Sequence, residues 1–144
     1  MEITAEKLNQ LTERIIHAAI KVHRVLGPGL LESAYRECLA YELRQAGCHV
    51  DTERELPLTY EDPRVRRAYR IDLLVEETVV IEVKSIERFE AVHEAQMRTY
   101  LRLSGCHAGL ILNFNKETLV AGLKRMVLNF PEEERSAQVT TPSS

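Results

Sequence analysis

The sequence is short of the features that would label it at once. Its three cysteines, Cys38, Cys48 and Cys106, are odd in number and form no C-x-x-C pair. They read as reduced thiols of a cytosolic protein rather than a disulfide framework. The dipeptides Cys48-His49 and Cys106-His107 do not make a zinc site, because neighbours on a strand point opposite ways. There is no surplus of basic charge: Lys+Arg 19 against Asp+Glu 22 gives a net charge of −3. That excludes the blanket electrostatic grip of a histone-like protein and leaves any nucleic-acid contact to a local patch. No apolar run approaches membrane-spanning length, and the charged, amphipathic start lacks the basic-then-apolar layout of a secretory leader. A soluble, cytoplasmic protein with no membrane partner is expected. No internal repeat is visible.

What is present is one domain's worth of patterned chain. At 144 residues a domain buries roughly 68–70% of its unfolded surface and needs neither disulfides nor a structural metal to fold. Leu8, Leu11, Ile15, Ile16, Ala19, Ile20 and Val22 recur at three- and four-residue steps, predicting a helix from Thr4 to about Leu26 that Gly27-Pro28-Gly29 ends. A second helix is predicted from about Leu31 to Ala46, with Gly47 where a left-handed cap belongs. His49 to about Tyr60 is strand-like but interrupted by Pro57, and a basic, turn-prone stretch follows at 61–67. Tyr69 to Val75 and Val79 to Ile86 carry the strongest strand signals, joined by Glu76-Glu77-Thr78 as a hairpin. Ala91 to Ser104 reads as a helix ended by Gly105, Ala108 to Phe114 as a buried strand, and Leu119 to about Phe130 as a last helix. The expected order is α-α-β-β-β-α-β-α over residues 1–130, with 131–144 as a loose tail.

The hairpin holds the chemistry. Arg70, Asp72 and Leu74 share one face of its first strand, and Val80, Glu82 and Lys84 one face of the second. A three-residue loop sets Asp72 opposite Glu82, whereas a two-residue loop would pair Asp72 with Ile81 and scatter the charges into the apolar face. The first register brings two carboxylates together amid apolar strands, which is destabilising unless something positive lies between them. Mg²⁺ suits such a pair, with Mn²⁺ as a substitute, and the backbone carbonyl of Val83 could add a ligand. Lys84 could then orient or deprotonate an attacking water, or stabilise a pentacovalent phosphate. A simpler reading is a buried salt bridge of Lys84 with Glu82 or Asp72, needing neither metal nor substrate.

With those residues in view, the chain resembles a known group. Asp72 followed by Glu82-Val83-Lys84 is similar to the D…(E/D)-x-K signature of PD-(D/E)XK nucleases. Gln96-Met97-Arg98-Thr99-Tyr100 resembles the Q-x-x-x-Y motif of their RecB-type branch, and Gly29-Leu30-Leu31-Glu32-Ser33-Ala34-Tyr35 the signature of the GxxExxY family. The resemblance runs from about Leu11 to Phe130. It implies an α/β restriction-endonuclease-like core, a mixed β-sheet flanked by helices, and a nuclease-like site on DNA or RNA, DNA being favoured. It also implies that Glu32 joins Asp72 and Glu82 on the metal side, and that Gln96 and Tyr100 steady Lys84 or touch a phosphate.

The residues alone permit plainer readings beside these. Gln96 and Tyr100 are four apart and share a helical face near His93, which also suits a core tyrosine with a hydrogen-bonded glutamine. Glu32 is equally a first-turn acid favoured by the helix dipole, and His23 a helix C-terminal histidine. Arg64, Arg66, Arg67 and Arg70 form the best phosphate-facing patch, although such loops are often merely solvated. The rival functions are a non-catalytic nucleic-acid- or protein-binding module that keeps the fold, and a structural homodimer joined through the N-terminal helix pair.

Overall fold

The structure, a computed structural model, describes residues 3–59, 61 and 66–131, with the side chains of 59 and 66–68 left aside. Helices α1 (Ala5–Leu26) and α2 (Glu32–Gln45) come first, followed by strands β1 (Val50–Thr59), β2 (Arg66–Val75) and β3 (Val79–Lys84). Helix α3 (Ala91–Ser104), strand β4 (Ala108–Asn113), a 3₁₀ turn (Val120–Gly122) and strand β5 (Leu123–Val127) complete the chain. The strands form one mixed sheet in the order β1-β2-β3-β4-β5, antiparallel except for the β3–β4 pair. Helix α3 is the crossover that a parallel pair requires.

The apolar stripe of α1 and the inner face of α2 cover one side of the sheet. Leu8, Leu11, Ile15, Ala19, Leu39 and Leu43 pack on Leu73, Val75, Ile81, Val83, Leu110 and Leu112. The other side meets α3, where Met97, Tyr100 and Leu101 pack on Leu74, Val80 and Ile111. With both faces covered, β3 and β4 are apolar along nearly their whole length, as a central parallel pair should be. Helix α2 ends in the predicted glycine cap. Gly47 sits at φ 91°, its N–H bonds the Arg44 carbonyl at 3.0 Å, and the next N–H, of Cys48, reaches back to the Leu43 carbonyl at 2.9 Å.

The expected α/β class and restriction-endonuclease-like arrangement hold, and two local expectations need correction. Pro57 does not interrupt β1, because β1 is an edge strand and tolerates a residue without an N–H; it pairs with Ala68 within the ladder. The last helix shrinks to the 3₁₀ turn, and Leu123–Val127 is a strand antiparallel to β4. Gly122 explains the close approach: a Cβ there would lie 2.0 Å from the Asn113 carbonyl oxygen. The chain passes too near β4 for a helix with side chains all round. Of the tail at 131–144, only Pro131 lies within the described residues. Among the described residues no helix is long and apolar enough to cross a membrane.

Candidate active site

The β2–β3 ladder pairs Val75 with Val79, Leu74 with Val80 and Leu73 with Ile81. One further step in that register sets Asp72 opposite Glu82, as the three-residue loop predicts. There the backbone pairing stops and the acids take over. The Asp72 N–H donates to Glu82 Oε2 at 3.1 Å, and the Val83 N–H donates to Asp72 Oδ2 at 2.7 Å. Each carboxylate thus fills a place that a carbonyl would hold in an unbroken ladder.

The burial pattern shows why the strands part here. Side chains two apart on a strand should face the same way, yet Ile71 packs in the α3 core and Leu73 under α1 and α2. The strand therefore turns at Asp72. On its other flank, the β1–β2 ladder skips the step that would pair Glu53 with Asp72, and Glu53 lies at φ 53°.

Burial governs the charges. It pushes Glu82 up to about 8, the Asp72 charge adding to the shift and the Asp72 N–H and Lys84 working against it. Asp72 is raised as well, again by burial first, with the Val83 N–H and the charges of Arg36 and Lys84 opposing. Tyr100 is pushed up to about 12 by desolvation and then by the charges of Glu82 and Asp72. Burial works against the charged form of each of these groups, a pattern frequent at functional sites.

Both helical layers reach the break in the sheet. From α2, Glu32 accepts the Ser85 N–H at 3.3 Å, one residue beyond Lys84, and its charge raises both Asp72 and Glu82. Tyr35, one helical turn on, fixes the preceding loop. Its hydroxyl donates to the Gly27 carbonyl at 2.5 Å and accepts the Leu30 N–H at 3.0 Å, while its ring stacks on Phe114 at 4.4 Å. From α3, Gln96 Oε1 accepts from Lys84 Nζ at 3.4 Å. Tyr100, 4% exposed, lies one turn further along the same face. The structure thus brings Asp72, Glu82, Lys84, Gln96 and Tyr100 to one place, with Glu32 at the rim.

Other histidines have structural work. His93 Nδ1 accepts the Glu90 N–H at 2.9 Å in a capping box, and buried His23 ties α1 to the Lys116 carbonyl at 2.7 Å. In the predicted basic patch, Arg70 is exposed and pairs with Glu55 at 3.6 Å. Arg66 and Arg67 lie on β2 with side chains outside those described, and Arg64 lies outside the described residues.

Two residues were missed from sequence. Arg36 lies 3.7 Å from Asp72 and 3.6 Å from Glu53; its signal was its place four residues after Glu32, on the same helical face. Asn113 is fully buried and brackets the chain just after Lys84. It accepts the Ile86 N–H at 3.0 Å and donates to the Ile86 carbonyl at 2.9 Å. An asparagine closing an apolar strand was the available hint.

A second acid group lies at the turn end of the same sheet. His49, Asp51 and Glu77 offer ligand atoms all within 4.8 Å of one another. Arg54 already pairs with both acids, reaching Asp51 at 2.5 Å and Glu77 at 2.9 Å. This group holds none of the residues at the sheet break.

A family model described as the PD-(D/E)XK nuclease superfamily matches residues 9–126. The chain belongs to that superfamily. No curated protein and no solved structure gives a match. Members of the superfamily usually use divalent metals, and membership implies a nuclease-like fold and nucleic-acid binding.

Proposed function

We propose that this protein is a metal-dependent nuclease of the GxxExxY type that hydrolyses phosphodiester bonds in nucleic acid, DNA in preference to RNA. The observation that carries the reading is the sheet break at Asp72 and Glu82, where a half-buried and a buried carboxyl face each other with Lys84 beside them. A purely structural salt bridge would leave Lys84 on a carboxylate, whereas among the described residues its hydrogen-bond partner is the neutral Gln96 amide.

The donor set fits a hard cation. A backbone N–H occupies one oxygen of each carboxyl, so the second oxygen is what each can offer. Asp72 and Glu82 would hold Mg²⁺, or Mn²⁺ in its place, with Glu32 and the Val83 carbonyl as further oxygen ligands. Such an ion supplies Lewis-acid polarisation of the phosphate and a nucleophile from bound water. The protein's own part is positional. Gln96 holds the Lys84 ammonium, which bears on the attacking water and the negative phosphoryl oxygens. The Asn113 bracket fixes the chain just after that lysine, and the Tyr35 clamp fixes the loop whose Leu30 carbonyl accepts from Ser85 Oγ at 2.8 Å. Tyr100 closes the α3 side and keeps the carboxyls out of bulk water.

Cleavage of plasmid and single-stranded DNA with Mg²⁺ or Mn²⁺, by wild type and by Lys84→Ala, tests the proposal. Metal-dependent cleavage lost in the variant, with nucleic acid still retained, is the expected result. Retention without cleavage in the wild type would replace the nuclease by a binding module that keeps the fold.

A further inference from the structure

Arg36 stands where a cation is needed and is locked to neither neighbour. Its guanidinium reaches Asp72 Oδ1 at 3.7 Å and Glu53 Oε2 at 3.6 Å. Both distances exceed the roughly 2.7–2.9 Å of a settled charge-assisted hydrogen bond. Asp72 Oδ1 is also the oxygen left over by the Val83 N–H, the one a metal would take. Arginine keeps its charge at any working pH, so it can balance the acids when no ion is bound.

Glu53 is placed for the other half of the exchange. It occupies the left-handed backbone region at φ 53°, at the step where the β1–β2 ladder is broken opposite Asp72. A side chain costs about 1–2 kcal/mol there, and such strain gathers at functional sites. The Glu53 side chain is half exposed while those of Arg36 and Asp72 are each 20% exposed, so it offers Arg36 a perch nearer to solvent. Glu32 and Arg36, four apart on α2, rise from the same face towards the same break.

We propose that Arg36 is the counter-cation of the metal-free centre, that a divalent ion on Asp72 displaces it towards Glu53, and that there it receives a substrate phosphate. This rests on the metal-dependent reading above. The exchange leaves the acids with a positive partner in both the empty and the loaded state. It also places a planar donor fork, suited to phosphate oxygens, next to the ion only once the ion is present.

The test is calorimetric titration with Mn²⁺ alone, beside retention of duplex DNA in Ca²⁺, for wild type, Arg36→Gln, Arg36→Lys and Glu53→Gln. Lys21→Gln is the charge-matched control, since its partner Glu42 lies ten residues along α2 from Glu32, about 15 Å of helix. Arg36→Gln should bind Mn²⁺ about fivefold more tightly yet retain DNA less well. Arg36→Lys should return Mn²⁺ affinity to the wild-type value, Glu53→Gln should weaken it, and Lys21→Gln should leave it unchanged. Unchanged or weaker Mn²⁺ binding by Arg36→Gln, with wild-type thermal melting, would overturn the proposal. Should that variant not fold, Mn²⁺ binding by Glu53→Gln as tight as wild type would do the same. A wild type that binds no Mn²⁺ would instead overturn the nuclease reading on which this rests.

Discussion

The two ends of the β2–β3 hairpin carry acids in opposite circumstances. At the turn, Asp51 and Glu77 stand in water with Arg54 between them. Desolvation pulls the Asp51 carboxyl up, but the hydrogen bond with Glu77 and the charges of His49 and Arg54 outweigh it and hold the group below its ordinary range. At the far end, Glu82 is buried and Asp72 half-buried, and both rise, Glu82 to about 8. Proximity of ligand atoms favours the first group; the burial that works against ionisation favours the second. Ion pairs in water contribute little and exchange freely, whereas buried acids that resist ionisation have most to gain from a divalent partner. That difference is the reason the proposed metal site is put at the break in the sheet.

Four experiments can break or sharpen the contrast. The largest effect is expected in cleavage: Asp72→Asn or Lys84→Ala should lower the rate by about a hundredfold or more, whereas Asp51→Asn should leave it within about twofold. Next is the pH dependence of metal affinity. Below about pH 8 a cation must displace the Glu82 proton, so Mg²⁺ affinity should rise up to tenfold per pH unit towards 8 and then level off. Calorimetry in buffers of different ionisation enthalpy reads the released proton.

Stability of the metal-free protein supplies the third. The Glu82 carboxyl binds its proton more tightly folded than unfolded, so its contribution is fully present below about pH 4.5 and is lost as pH rises through about 8. Mg²⁺ should therefore raise the melting temperature more at pH 8 than at pH 6. Equal shifts at both values would contradict the assignment. The smallest effect is mechanical. Asn113→Ala takes the partner of the Ile86 N–H, leaves the Ile86 carbonyl with the Asn115 amide at 3.4 Å, and should cost about 1–3 kcal/mol in urea unfolding. Glu77→Gln at the exposed end should cost no more than about 1 kcal/mol.

Much of the site was legible because strand geometry is strict. Once Glu76-Glu77-Thr78 is a three-residue loop, period-two alternation leaves no register but the one that sets Asp72 against Glu82. The Q-x-x-x-Y spacing likewise placed Gln96 and Tyr100 on one helical face. The break itself was not legible. Its causes are the turn of β2 between Ile71 and Leu73 and the positive φ of Glu53, and neither residue type announces such a conformation. The last segment misled for a related reason. Leu119, Val120, Leu123, Met126, Val127 and Phe130 recur at helical steps, but a five-residue edge strand has too few positions to show its own period. Only the contact between Gly122 and the Asn113 carbonyl shows why a strand wins. Arg36 escaped notice because an arginine on a helix among many charges is ordinary until Asp72 and Glu53 are seen on either side of it.

The most direct test is Mg²⁺ titration of three proteins at pH 8: wild type, Asp72→Asn/Glu82→Gln, and Asp51→Asn/Glu77→Gln. Binding by the wild type and the turn-end variant, and its loss in the Asp72/Glu82 variant, is the predicted result. Binding that survives in the Asp72/Glu82 variant and disappears with Asp51 and Glu77 would put the metal at the wrong end of the hairpin and contradict the account.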